Sequence, residues 1–176
     1  LIDSNYAYRS NELQAWYANP QKPFGNKQNR NRFDTKVQDF SRRALNTRKE
    51  GGVITTAAIL TMTSTPLRTS PIKRGAWVAT VLFNDPPPPP PDVVPEIEED
   101  EQILAAQGLT IRERLKQHAT DQTCASCHAK IDPLGFALES FDPVGRWREK
   151  YDKNLAIDAS GKLFGEVEFT NVIEFK

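Results

Sequence analysis

Apolar positions in this chain come in short runs, separated by polar, proline-rich or acidic stretches. Leu1, Ile2, Tyr6, Tyr8, Leu13, Trp16 and Tyr17 fall on one helical stripe, which predicts a helix closed by Asn19-Pro20. From Asn19 to about Glu50 apolar residues are sparse, so a long loop or a partner-supported segment is expected. Gly51-Gly52 opens a second run, Val53, Ile54, Ala57, Ala58, Ile59, Leu60 and Met62, whose period fits a short buried helix or a strand equally. Pro66 and Pro71 bracket a turn holding Arg68, Thr69 and Ser70. Beyond it Ile72, Ala76, Trp77, Val78, Val81, Leu82 and Phe83 predict an amphipathic helix.

Pro86 to Pro91 is an unbroken proline run, stiff and without backbone donors, and is read as a polyproline spacer. The acids that follow, from Asp92 and Glu96 to Asp100 and Glu101, are read as a solvated strap. Thr110-Ile-Arg-Glu113 fits a capping box and starts a helix over Ile111 to His118. Asp121 or Thr123 can cap the next helix, which places Cys124 to His128 in its first turns. Leu134, Phe136, Ala137, Leu138 and Phe141 continue an apolar helical face until Asp142-Pro143 and Gly145 break it. Residues from Trp147 to Lys176 alternate around Gly161 and Gly165 as a small hairpin would.

Composition narrows the partners. Of 176 residues, 23 are Lys or Arg and 23 are Asp or Glu, so no electrostatic footprint draws the chain to nucleic acid or to an anionic membrane. No run reaches the roughly 18 to 20 apolar residues that a membrane-spanning helix needs. A hydrophobic content of 38% and a mean hydropathy of −0.58 fit much irregular backbone, or stability gained from a cofactor. A chain that begins at Leu1 without a leader is read as a processed or excised piece.

The chemistry concentrates in Cys124-Ala-Ser-Cys127-His128, the C-x-x-C-H pattern of c-type haem attachment. On a helical turn two thiols three residues apart share a face and can form thioethers with the two vinyl groups, while the next residue turns its imidazole to the iron. Two other chemistries use the same residues: a zinc site from Cys124, Cys127, His128 and His118, and a redox dithiol or disulfide. Haem is favoured, because a capped helix and a polar turn precede the motif rather than the strand a thioredoxin-like dithiol expects. With His128 as proximal ligand, the sixth position falls to His118 or Met62, since neither His nor Met follows His128; a lysine or an open site completes the options. Arg68, Arg74, Arg146 and Arg148 are candidates for the propionates, and Trp77 and Trp147 for packing on the porphyrin. Leu134, Phe136, Leu138 and Phe141 are candidate pocket wall.

Several runs resemble the planctomycete cytochrome C domain family: Arg68-Thr-Ser-Pro-Ile-Lys-Arg-Gly-Ala-Trp77, the proline block, Leu109-Thr-Ile-Arg-Glu-Arg-Leu115 with His118, Cys124-Ala-Ser-Cys-His-Ala-Lys-Ile-Asp-Pro-Leu-Gly-Phe136, and Phe141-Asp-Pro-Val-Gly-Arg-Trp147. Their order and spacing match over roughly Gly51 to Ser160. The resemblance implies a mono-haem module near the C-terminal end of a much larger exported protein. In it Leu1 to Tyr8 would end the preceding domain and Ile157 to Gly161 would begin the next.

The expected fold is mainly α with extensive irregular structure: a small cytochrome c-like haem module, a preceding helical segment and a C-terminal hairpin. The expected divisions are 1–50, tail of a helical domain and polar loop; 51–85, helical support; 86–101, linker; 102–150, haem module; and 151–176, extension. The expected function is single-electron transfer through one covalent haem c, with a redox protein, a neighbouring domain or a larger complex as partner, in the periplasm or elsewhere outside the cytoplasm. A haem enzyme with an open or displaceable sixth position and a haem- or zinc-stapled structural subunit are the alternatives. No phosphate loop or hydrolytic triad is recognisable.

Overall fold

The computed structural model describes residues 1–19, 40–90, 100–118 and 122–176, excepting the side chains of 117, 118, 122 and 123. The chain divides into two compact units, 1–53 and 54–176.

In the first unit the predicted helix begins later than its stripe suggested. Tyr6 to Arg9 form strand β1, paired antiparallel with β2, Ser41–Ala44, so that Tyr6 faces Ala44 and Arg9 faces Ser41. Tyr6 and Tyr8 follow the strand period of two, and their rings meet edge to face at 6.1 Å. Helix α1 runs from Asn11 to Ala18 and is capped by Ser10, whose Oγ accepts from the Leu13 amide at 3.2 Å. Residues 20–39, most of the expected polar loop, lie outside the described residues.

In the second unit the ambiguous apolar run is helical: a single 3-10 turn leads into α2, Ala57–Met62, which buries Leu60 completely. Helix α3, Pro71–Val81, matches its expected amphipathic pattern. Ser70 Oγ caps it by accepting from the Lys73 amide at 3.3 Å, and Pro71 stands in the first turn, where its missing N–H costs nothing. Pro86 to Pro90 adopt no regular hydrogen-bonded structure, while Pro91 and acids 92–99 fall outside the described residues.

Asp100 and Glu101 do not belong to a solvated strap. Asp100 caps helix α4, Glu101–Ala106, and Glu101 binds Arg148 with both carboxylate oxygens, at 2.7 and 3.0 Å. Helix α5, Ile111–His118, opens with the expected capping box. There Glu113 Oε2 accepts from the Thr110 amide at 2.7 Å, and Thr110 Oγ1 accepts from the Glu113 amide at 3.2 Å. Helix α6, Gln122–Phe136, continues through Pro133, which removes one internal hydrogen bond.

The second unit is built on the crossing of α3 with α6. Glycines on both helices permit it. A Cβ at Gly75 would lie 1.9 Å from the Ile131 carbonyl oxygen, and one at Gly135 would lie 1.9 Å from the Pro71 carbonyl oxygen. Beside the crossing Leu104, Ile111, Leu115, Phe136 and Tyr151 form a buried cluster that joins α4, α5 and the end of α6. The expected C-terminal hairpin is β3, Gly161–Leu163, with β4, Val167–Phe169. Its three-residue turn, 164–166, takes positive φ at Phe164 and Gly165, and the Glu166 amide donates to the Leu163 carbonyl at 3.0 Å. A short helix α7, Val172–Phe175, follows. Helix outweighs strand as expected, but two small antiparallel sheets make the fold mixed. Among the described residues no helix is long and apolar enough to cross a membrane.

Candidate functional site

Cys124, Cys127 and His128 occupy the first two turns of α6, where spacings of three and four put them on one side of the helix. Both cysteines are half-buried free thiols. His128 is held by its own helix: Nδ1 lies 2.9 and 3.0 Å from the two carboxylate oxygens of Asp132, one turn on. The two side chains are only 12% and 14% exposed, so the contact is largely shielded from water.

A cleft of about 280 Å3 opens beside this stripe. Its α6 wall is Ala125, His128, Ala129, Asp132, Pro133 and Phe136, the facing α5 residues are Arg112 and Lys116, and Ser160 and Gly161 close one end. His128 therefore belongs both to the cysteine stripe and to the cleft. Arg112 is tied in three ways. Its Nε and one terminal nitrogen donate to the Asp158 carbonyl at 3.1 and 2.9 Å, its guanidinium lies 3.9 Å from the Phe136 ring centroid, and Nε is 3.3 Å from the Asp158 carboxylate. Partial burial lowers its pKa from the ordinary arginine value, with Asp158 opposing the shift.

Behind α6 lies a second polar group, and this one is sealed. Arg74 of α3 is 1% exposed and donates to the carbonyls of Leu138, Phe141 and Asp142 at 2.7, 2.8 and 3.0 Å, and to Ser64 Oγ at 3.1 Å. Its ion-pair partner Glu139 is wholly buried, 3.6 Å away, and accepts from Thr69 Oγ1 at 2.7 Å and from the Tyr151 hydroxyl at 2.8 Å. Desolvation pulls the Arg74 pKa down to about 10 despite Glu139, and burial raises that of Tyr151 well above the phenol value. Arg148 links this network to α4 through Glu101. The role is structural: the group ties α3 to the chain leaving α6.

The residues of cleft and network fall largely within one matched stretch. The model of PSCyt3, described as a protein of unknown function (DUF1588), matches residues 50–151. The chain belongs to the PSCyt3 family. PSCyt3 is the planctomycete cytochrome C domain, and that family name implies haem. No curated protein and no solved structure matches the chain.

The PSCyt3 site fits such a group by the chemistry of its donors. Two unpaired thiols stand at thioether spacing, a neighbouring imidazole is oriented by a carboxylate, and two cations stand across a cleft that Phe136 and two alanines line. Haem iron asks for a single imidazole on this side, which His128 supplies.

Other expected residues of the PSCyt3 stretch are dispersed. Met62 ends α2 with 61% exposure. His118 ends α5, and its side chain lies outside the described residues. Arg68 is buried and donates to the Thr69 carbonyl at 2.8 Å; Arg146 binds Asp142 at 2.7 Å. Trp77 is half-buried on α3, and Trp147 packs edge to face on Phe141 at 5.3 Å. Leu134, Leu138 and Phe141 are core, whereas Phe136 serves both core and cleft. The cations that do reach the cleft, Arg112 and Lys116, went unread in the sequence, as did Asp132. Their signal was the four-residue helical spacing, 112 to 116 and 128 to 132.

Proposed function

We propose that this chain is a c-type haem module for single-electron transfer, attached through Cys124 and Cys127 and ligated by His128. The observation that carries the proposal is the imidazole of His128 at the cleft, with Nδ1 engaged by Asp132 and both thiols within the preceding turn or so. Bound haem supplies an iron that takes and gives one electron at a time. The chain's part is to fix that group and set its surroundings. Asp132 orients the imidazole, Phe136 and the alanines of α6 keep one wall apolar, and Arg112 and Lys116 supply positive charge for the propionates. Covalent attachment places maturation outside the cytoplasm, so export is part of the proposal, and a redox protein or neighbouring domain is the partner.

Optical spectra of the chain produced with a cytochrome c maturation system test the reading. A Soret band that survives acid-acetone extraction, and that is lost in Cys124→Ala plus Cys127→Ala, supports it; a colourless unaltered chain refutes it. Rapid carbon monoxide binding to the reduced protein would replace electron transfer by a haem enzyme acting on small ligands. Slow or absent binding that becomes rapid in a His118→Ala or Met62→Ala variant would identify the sixth ligand.

A further inference from the structure

Asp132 lies four residues after His128, so the helix itself sets the contact, and both carboxylate oxygens stand within 3.0 Å of Nδ1. The turn that bears it is braced on either side. The backbone of α3 rests on α6 at Ile131 and at Gly135, where any Cβ on the facing or resident glycine would meet a carbonyl oxygen at 1.9 Å. Pro133, next in the chain, removes one more degree of backbone freedom. The carboxylate is thus held on a rigid segment and, at 14% exposure, away from competing water.

A carboxylate that accepts from Nδ1–H fixes the tautomer, directs Nε2 to the metal and raises the donor strength of the ring. A stronger donor favours the more positive oxidation state of the metal. From the His128–Asp132 contact, and resting on the haem reading above, we propose that Asp132 is a positioning residue that aims the axial imidazole and lowers the reduction potential of the iron. An uncharged amide in its place is a weaker acceptor of the same shape.

Potentiometric titration of the haem-loaded full chain tests this in three forms: unaltered, Asp132→Asn and Asp132→Glu. Mutating outer-shell partners of ligating histidines costs about 10- to 100-fold in metal affinity or activity, which sets the scale for a change in donor strength. Asp132→Asn is expected to shift the oxidised-to-reduced equilibrium at least tenfold toward the reduced form, a rise of about 59 mV for one electron. Asp132→Glu keeps the charge and is expected to recover part of that shift, which a loss of packing alone would not produce. If Asp132→Asn fails to load haem, Asp132→Ala takes its place in the comparison, with a rise of the same sign supporting the proposal and an unchanged or lower potential refuting it. Equal potentials in all three loaded proteins, or a fall in Asp132→Asn, overturn the role of Asp132 while leaving the haem reading intact; an unaltered chain without haem overturns both.

Discussion

Replacing Arg74 by Met removes the most deeply committed cation in the second unit while keeping an unbranched side chain of similar reach. The guanidinium is 1% exposed and makes four hydrogen bonds, three of them to consecutive turns of backbone after α6. Its loss leaves the carbonyls of Leu138, Phe141 and Asp142 without this donor, and leaves the wholly buried Glu139 carboxylate to Thr69, Tyr151 and a more distant Arg148 at 3.7 Å. Breaking a buried pair from one side costs about 3–5 kcal/mol. Burial pulls the Arg74 pKa down against the pull of Glu139, and because desolvation offsets much of the attraction in buried pairs, the cost of the variant lies in the stranded partner. Urea unfolding of the haem-loaded chain at pH 7, followed by far-ultraviolet circular dichroism, should therefore show a loss of about 3–5 kcal/mol for Arg74→Met. Adding Glu139→Gln should recover a substantial part, because the remaining neutral amide is less costly to bury. A loss below about 1 kcal/mol, or a double variant less stable than the sum of both single changes, would refute the network as described.

Three further outcomes are expected. Gly75→Ala forces apart two helices in backbone contact and should destabilise by about 1–3 kcal/mol, read as a lower thermal midpoint; an unchanged midpoint would mean that the crossing is looser than its geometry. Thr110→Ala removes the capping hydroxyl of α5 and should cost about 1 kcal/mol in urea unfolding. Glu113, whose carboxyl is held below its ordinary 4.5 by the Thr110 amide and hydroxyl, contributes stability that is complete above the unfolded value and lost as pH falls through the lower folded value. Glu113→Gln should flatten that acid limb in a stability–pH profile, and an unaltered limb would contradict the capping assignment.

What was legible in the sequence was what depends on near neighbours along the chain. The Thr110–Glu113 box, the Pro71 start of α3 and the Cys124–Cys127–His128 stripe each need only one or two turns of helix, and each stands where its spacing put it. Tyr6 and Tyr8 show the limit of that reasoning. Their spacing suited a helical stripe, but pairing with Ser41–Ala44, more than thirty residues on, makes a strand the lower state. Arg74 and Arg148 carry the same ambiguity in a stronger form. An arginine beside a haem motif suits a propionate as well as a buried carboxylate, and only tertiary packing, of α3 on α6 for Glu139 with Arg74 and of α4 on the chain after α6 for Glu101 with Arg148, decides between them. The sequence by itself determined the candidate donors, because spacings of three and four set Cys124, Cys127 and His128 on one stripe within a single helix, as the proposed attachment and ligation require. Tertiary structure decided which cations face those donors, since Arg112 and Lys116 lie on a helix whose approach to α6 rests on core packing rather than on any local pattern.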